Sequence, residues 1–513
     1  MLFKEFVSKV RRVDEALLLG ALVLALVLLL AFQLQQASNN REKLKGIPTV
    51  GSSGFVASWK DTFRFLFHSK DIIEKGYRKY HGSVFKVPLL DKWMIAVSGV
   101  EKINDIRKSS PGQLYSLDAT SDLLQMDYTI GRDVFADPYH IGVVRNALTR
   151  NIATCFADVA DEIQEVFNDN IPMTEDWMNV PIYERTLQIV CRASNRMFVV
   201  LPLCRTQEYI KLNINFTVNV FACAHIINLF PSFLKPVAGF LLTPRRRALA
   251  KAEKFLGQTI RERLHKEDVH GNDWPGKPQQ NDLLFWLLDA TNGNKERRDV
   301  QDLITRILLL NLGAIHTTSM VFQTAVYALA AHPEYVEILR TEVESAIANE
   351  GWTKAAVGRM DRLDSFLKEA QRLYGDLGVF SVRRTARKDF IFSDGTVVPA
   401  GSQIAVAALS THLDEENYED PLQFKPWRFS EKRKQEGEGN HQQIVIPSLD
   451  YLLFGIGRSA CPGRFFAVNM LKTLMAHVIL NFDVKIDCID QFFTHQASNQ
   501  RRDVFFRKWA GVP

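Results

Sequence analysis

The six cysteines of this chain, Cys155, Cys191, Cys204, Cys223, Cys461 and Cys488, include no CxxC pair and no regular spacing. That absence excludes a zinc ribbon and a disulfide framework, and reduced thiols facing the cytosol are the simpler reading. A strong charge of one sign is missing as well, because 63 basic against 58 acidic residues leave a net +5. A dedicated nucleic-acid binder concentrates basic residues on one face, so that class is set aside. No strict G-x-G-x-x-G run occurs, so no flavin or dinucleotide domain is indicated. Internal repeats are absent too.

What is present begins with bulk: 46% hydrophobic residues over 513 positions give room for a large core, and the length alone suggests about three domains. From Ala16 to Phe32, "ALLLGALVLALVLLLAF" holds no charged residue, and its length lies just inside the about 17 to 25 residues of a membrane-spanning helix. The run exceeds the apolar stretch of about 7 to 15 residues in a cleavable signal, and no small-residue cleavage site follows it. Lys4, Lys9, Arg11 and Arg12 precede it while Arg41, Lys43 and Lys45 follow, so positive charge does not set the orientation. The expected organisation is a flank at 1–15, a transmembrane anchor at 16–35, a polar linker with a proline hinge at 36–50, and one folded body at 51–513.

Within that body, "SVFKVPLLDKWMIAVSG" (Ser83 to Gly99) predicts a hairpin with Asp91-Lys92 near its turn, and Asp394-Gly395 marks a second, two-residue turn. Apolar residues at helical spacing fill long stretches between them, which makes the expected fold mainly α with small β-sheets. His265–Asp282 and Glu431–Gln443 read as polar surface loops. Ala224–Leu242 is apolar, broken by Pro231 and Pro236, and followed by "PRRRALAKAEK". Such a segment suits either a dip into a membrane surface or a buried helix-loop-helix.

The most informative segment is "YLLFGIGRSACPGRFFAVNM", Tyr451 to Met470. Gly455, Gly457 and Gly463 surround Cys461, so the backbone can approach a bulky group closely and present a sulfur from a loop. Helical periodicity resumes after Pro462, placing amide donors and a positive dipole end beside that sulfur, which favours a thiolate. A thiolate offered this way suits iron, and a structural cysteine in a tight loop fits the same residues.

This segment resembles the haem-binding loop of the cytochrome P450 superfamily, F-G-x-G-x-[RH]-x-C-x-G, which Phe454, Gly455, Gly457, Cys461 and Gly463 match. The resemblance makes Cys461 the axial ligand of a haem b iron. Ser459 stands where the family has Arg or His facing a haem propionate, with Arg458 next to it. Glu369 and Arg372, in "FLKEAQRLYG", form by themselves an i, i+3 pair of the kind that is usually exposed and worth little. "FKPWRF" (Phe424 to Phe429) is similar to the family's P-x-R-F element, which implies a buried triad of Glu369, Arg372 and Arg428 supporting the haem loop. Arg384 takes the place of a propionate-binding arginine. Arg145 resembles the arginine of the family's W-x-x-x-R helix with Ile141 in place of the tryptophan, and a plain surface charge at Arg145 or Arg150 fits equally.

Leu303, Ile307, Leu310, Ile315, Phe322, Val326 and Leu329 predict one long helix from about Asp299 to Ala331, interrupted by the polar run "GAIHTTS", Gly313 to Ser319. Met320, at i+4 from His316, offers no second ligand, so a metal site there is not indicated. The helix resembles the family's central helix with its [AG]-G-x-[DE]-T-T motif. Gly313, Ala314, Thr317 and Thr318 fit, and His316 replaces the acid. Thr317 is expected to bond back to the Gly313 carbonyl, loosening the helix and making room for dioxygen and water. His316 is expected to assist proton transfer, and a satisfied structural histidine fits the same position.

The resemblance implies the cytochrome P450 fold and a membrane-anchored haem-thiolate monooxygenase, held at the endoplasmic reticulum with its body in the cytosol. It implies O2 and a hydrophobic small molecule as substrates. Electrons would come from NADPH through NADPH-cytochrome P450 reductase, with cytochrome b5 as a further donor. "GIPTVG", "AIHTTS" and "ACPGRFFA" look most like fungal members that oxidise terpenoids, ent-kaurene-oxidase-like enzymes among them. Two rivals stand beside this reading: a haem-thiolate isomerase or dehydratase that needs no reductase, and a non-catalytic anchored haem or lipid binder.

Overall fold

The computed structural model describes residues 42–511 other than 52–54, 90–91, 272–280, 292–293, 376–377, 438 and 488–502, together with Gly20 and Leu24. The expected membrane-spanning run at Ala16–Phe32, but for Gly20 and Leu24, lies outside the described residues, as do Asp91 and Cys488. The described body is mainly helical with small sheets.

A single helix, Val300–Ala331, runs about 48 Å through the middle. Its apolar residues lie on almost every face, and a helix of that kind belongs in a core. Asp299 starts it, its side chain accepting from the Asp302 amide at 2.8 Å. His332 and Pro333 end it, because proline cannot continue the amide ladder. The helices Ile182–Phe198, Gln207–Asn228, Arg245–His270, Asp361–Tyr374 and Arg464–Asn481 pack against it. Where they meet, Ile189, Leu308, Phe322, Phe366 and Leu474 share one buried apolar cluster.

The main sheet joins β1 (Val84–Pro88), β2 (Trp93–Val97), β3 (Leu114–Tyr115), β5 (Ser381–Ala386) and β8 (Gln403–Val406) in the order β1-β2-β8-β5-β3. β4 (Met178–Val180) pairs with β10 (Val504–Lys508), which pairs with β9 (Phe482–Lys485); β6 (Phe390–Ile391) and β7 (Val397–Val398) form a separate hairpin. β1 and β2 are antiparallel with Phe85 opposite Ala96, and β8 joins β2 in parallel with Ile404 opposite Ile95. Successive side chains alternate between two clusters: Val84, Ile95, Val97 and Ile404 enter one, and Phe85, Val87, Met94 and Ala405 the other. The register of β5 on β8 shifts between Ser381 and Arg384, and Val382 in the gap takes φ +54°. The extra residue of this bulge sets Arg384, rather than Arg383, opposite Ile404.

Four expectations need correction. Asp394-Gly395 lies in a hairpin, but the Phe392 amide donates to the Thr396 carbonyl and the Gly395 amide to the Phe392 carbonyl, both at 2.9 Å. The loop is therefore Ser393–Gly395, and Gly395 at φ +84° supplies the left-handed third residue that three-residue loops use. His265–Asp282 is only partly a loop. His265–His270 complete the Arg245–His270 helix because nothing breaks it before Gly271, which ends it at φ +66°. Asp282, at the other end of that segment, caps the Leu283–Asp289 helix and pairs with buried Arg263. In the same way Glu431 and Lys432 belong to the helix Arg428–Lys432 rather than to a loop. Ala224–Leu242 is not a buried helix-loop-helix: the chain turns at Pro231, and the short helix Lys235–Leu242 and its approach expose Phe233 at 60%, Phe240 at 69% and Leu241 at 72%.

Candidate active site

The cysteine loop is built by two left-handed glycines, Gly455 at φ +70° and Gly457 at φ +66°. A Cβ on Gly457 would lie 2.8 Å from the Arg107 carbonyl oxygen, so only glycine allows this approach. The Cys461 amide then donates to the Phe454 carbonyl at 2.8 Å, and the Ala460 amide to the Gly457 carbonyl at 3.1 Å. These bonds fold Phe454–Cys461 into a compact loop that ends at the first turn of the Arg464–Asn481 helix.

The Cys461 sulfur is half-buried, and the Gly463 and Arg464 amides hydrogen-bond to it. Burial pushes its thiol pKa up, and those amides with the Arg464 guanidinium pull against that rise without cancelling it. Helix-end donors alone were expected to favour the thiolate, but burial outweighs them. A thiol in this balance ionises when a bound cation meets its charge, which is what a coordinated metal does.

Arginines gather around the same loop. Arg384, on the bulged strand β5, is 5% exposed and donates to the Ile456 carbonyl at 3.3 Å and to the Arg383 carbonyl at 2.8 Å. Burial lowers its pKa to about 10. Arg145 sits in a π-helical turn, Val144–Leu148, and reaches the Arg458 carbonyl at 3.3 Å. Arg464 donates to the Cys461 carbonyl at 3.1 Å and keeps a buried Nε without a partner. Ser459 lies exposed in the 3-10 turn Gly457–Ser459. Among the described residues, no carboxylate pairs with Arg145, Arg384, Arg458 or Arg464. A loop sulfur backed by amides and ringed by cations without acids is a donor set that fits an iron porphyrin bearing two carboxylates.

Glu369, Arg372 and Arg428 meet in the interior. Glu369 and Arg372 are 0% exposed and Arg428 is 7% exposed. Arg372 holds both oxygens of Glu369, at 2.7 and 2.8 Å, and Arg428 Nε lies 3.2 Å from each of them. The Lys425 amide adds a fifth contact at 3.0 Å. The spare arginine nitrogens are used on carbonyls: Arg372 Nη1 on His412 and Pro421 at 2.7 and 2.8 Å, and Arg428 Nη1 on Glu419 at 2.6 Å.

His412, which no sequence signal singled out, links this triad to the cysteine loop. Its carbonyl accepts from Arg372, its ring Nε2 accepts from the Leu452 amide at 2.9 Å, and its ring stacks on Tyr451 at 5.3 Å. Burial, with Arg372 adding to it, lowers its pKa to about 3, so it is a neutral acceptor. Arg464 is the other residue missed. It lies inside the quoted motif, yet its lack of an acid partner is visible only in three dimensions.

On the central helix, Thr317 Oγ1 donates to the Gly313 carbonyl at 2.6 Å, and the helix nevertheless continues unbroken from Val300 to Ala331. The expected loosening is therefore not seen. Gly313 and Thr317 are exposed while Leu312, Ile315, Thr318 and Ser319 are buried, and a Cβ on Gly313 would meet nothing within 4 Å. One i, i+4 stripe of an otherwise buried helix thus borders open space. His316 points elsewhere: its Nε2 lies 3.2 Å from the Ile214 carbonyl on the Gln207–Asn228 helix, and burial lowers its pKa.

Comparisons with known proteins give the family. The family model for Cytochrome P450 matches residues 65–499. Cytochrome P450 monooxygenase 151 of Postia placenta is 43% identical over 448 residues, covering 87% of this chain and 89% of that protein. Cytochrome P450 monooxygenase CYP512U6 of Ganoderma lucidum is 32% identical over 448 residues, 87% of each chain. Among solved structures, retinoic acid bound cyanobacterial CYP120A1 superposes with a TM-score of 0.64 at 20% identity, over 90% of this chain and 98% of that one.

Proposed function

Because the chain belongs to the cytochrome P450 family, whose fungal relatives are monooxygenases carrying haem b, we propose that Cys461 is its haem ligand and that it oxidises a hydrophobic, terpenoid-like molecule. The family membership sets aside a non-catalytic binder. The observation that carries the residue assignment is the Cys461 sulfur, backed by the Gly463 and Arg464 amides within a ring of arginines without acids.

Haem b supplies the activation of O2 and the insertion of one oxygen atom into the substrate. The chain's own residues hold and shield it. Arg384, Arg145 and Arg458, joined by Arg464, would hold the haem carboxylates, each as a charge-assisted donor worth more than a neutral one. Phe454 and Gly455 shape the loop beside the sulfur, and Glu369, Arg372 and Arg428 keep the backbone under it rigid, with His412 passing that rigidity to Leu452. Thr317 donates its hydroxyl proton to Gly313, so its lone pairs face the open stripe and accept from water or a protonated group there.

A P450 monooxygenase takes electrons from a redox partner, and NADPH-cytochrome P450 reductase, with or without cytochrome b5, is the partner that we infer. Residues 16–35 would anchor the body, 51–513, to the endoplasmic reticulum membrane through the linker at 36–50. Supporting this, Phe233, Val237, Phe240 and Leu241 present an exposed apolar face next to Arg245, Arg246 and Arg247, the pairing that an anionic membrane surface favours. A substrate arriving from lipid would be apolar, in keeping with the likeness to terpenoid-oxidising members. The test is product analysis with NADPH, reductase and a panel of terpenoids under isotope-labelled O2. One labelled oxygen atom in a product, formed only with NADPH, supports the reading. Turnover of a peroxide or oxime without NADPH or reductase would replace it with an isomerase or dehydratase.

A further inference from the structure

The buried arginines away from the cysteine loop, Arg192, Arg263, Arg306, Arg340, Arg372 and Arg428, each pair with a carboxylate. A charge taken out of water is costly unless an opposite charge meets it, so burial demands this pairing. Arg383 breaks the pattern. It is half-buried on β5, and burial lowers its pKa with no acid pulling against that fall. Among the described residues its guanidinium has neither an ion pair nor a hydrogen bond, and it lies over the Phe380 ring, 5.5 Å from the centroid.

The strand fixes where this cation stands. Ser381 donates to the Leu452 carbonyl at 3.0 Å and Arg384 to the Ile456 carbonyl at 3.3 Å, so β5 is fastened to the cysteine loop on either side of Arg383. Arg384 faces that loop, and Arg383, its neighbour along the strand, faces the other way, with Phe380. On this side two helices flank β5, Phe55–Lys79 and Ser116–Leu124. Phe65 of the first stacks on Phe380 at 6.2 Å, and the second packs along β5, where its Asp122 accepts from Gln403 of β8 at 2.6 Å. The acids of the second helix are engaged elsewhere, Asp118 with Arg387 at 2.6 Å and Asp122 with Lys92. Gly378, at the approach to β5, is exposed, and a Cβ there would meet nothing within 4 Å. An uncompensated guanidinium thus stands between two helices, beside open space, on the strand that carries Arg384.

Resting on the haem reading above, we infer that Arg383 is a specificity-determining residue, receiving the carboxylate of an otherwise apolar substrate at the rim of the haem site. A guanidinium presents paired N–H donors whose spacing fits the two oxygens of a carboxylate. Phe380 under the cation and half-buried Phe65 beside it supply apolar surface next to the charge, which an anion polar throughout would leave unused.

The experiment uses the full-length, haem-loaded protein and three pairs of probes: palmitic, dehydroabietic and ursolic acids, each with its methyl ester, which keeps the skeleton and removes the charge. Binding is titrated by the shift of the Soret band. The wild type is expected to bind at least one acid about tenfold or more tighter than its ester, the worth of one charge-assisted bond. Arg383→Gln is expected to lose that preference with ester affinity kept, and Arg383→Lys to retain part of it. No acid preference in any wild-type pair, absence of binding included, overturns the inference, as does a preference undiminished in Arg383→Gln or lost equally in both variants. Haem transfer to apomyoglobin is expected to keep the wild-type rate in Arg383→Gln; faster transfer would assign Arg383 to the haem carboxylates and overturn its role with substrate. The reduced, CO-bound spectrum keeps the two readings separate: a red-shifted band without acid preference sinks the role of Arg383 alone, and a missing band sinks the haem reading with it.

Discussion

Replacing Glu369 with Gln changes one oxygen for an NH2 group and leaves the volume almost untouched, so its effect isolates charge. In the native protein Glu369 accepts from Arg372 twice, from Arg428 twice and from the Lys425 amide. None of the three charged residues has more than 7% exposure, so water cannot take the carboxylate's place. Glu369→Gln leaves two buried guanidinium groups without a counter-charge and turns one acceptor into a donor facing donors. Breaking a buried ion pair in this way costs about 3–5 kcal/mol. Against a typical total stability of about 5–15 kcal/mol, that removes about a third to a half of a mid-range value and weakens the support under the haem loop. Urea unfolding followed by circular dichroism, with haem content read from the Soret band, measures both consequences. A loss below about 1 kcal/mol with normal haem content would refute the buried-triad argument, because that is the value of an exposed pair.

Further outcomes follow from single contacts. Arg384→Leu removes a desolvated cation from the loop and should speed haem loss to apomyoglobin about tenfold or more, the worth of one charge-assisted bond. Unchanged haem transfer would place the propionates elsewhere. Thr317→Ala deletes the hydroxyl on the open stripe and should lower product formed per NADPH consumed about fivefold, with peroxide or water rising to match. Wild-type coupling would remove Thr317 from the chemistry. His140, His412 and His477 are buried with pKa values lowered to about 4, 3 and 4. Their protonation favours the unfolded chain, so the stability they confer is present above about pH 6.5 and is lost as pH falls toward the folded values. His477→Phe, which keeps a ring against Phe167, should therefore flatten the acid side of the stability curve by about 1.4 kcal/mol per pH unit. An unaltered slope would mean that His477 is not held neutral.

Legibility in the sequence tracked distance along the chain. The cysteine loop was readable because its glycines, sulfur and following helix lie within ten consecutive positions and each dictates local backbone. The long central helix was readable for the same reason, with Asp299 and Pro333 marking its ends. Glu369 and Arg372 gave only an i, i+3 pair, and Arg428 joined them through resemblance, since nothing local announces a contact across 59 positions. His412 escaped entirely, because its role lies in two bonds made after the chain has folded. The bulge at Val382, which sets Arg384 rather than Arg383 opposite Ile404, follows from how β5 meets β8 and has no sequence mark. Polarity misled at His265–His270, where helical continuation to Gly271 outweighed hydrophilic composition. At His316 the sequence left a proton route and a satisfied structural histidine open, and only the fold shows its ring meeting the Ile214 carbonyl of a neighbouring helix.

The central claim is that the Cys461 sulfur binds haem iron as a thiolate. Its most direct measurement is the difference spectrum of the dithionite-reduced protein with and without CO, taken for the wild type and for Cys461→Ala. The account predicts the red-shifted band of thiolate-ligated haem in the wild type and its absence in the variant. A wild type that binds haem without that band, or a variant that keeps it, would contradict the account.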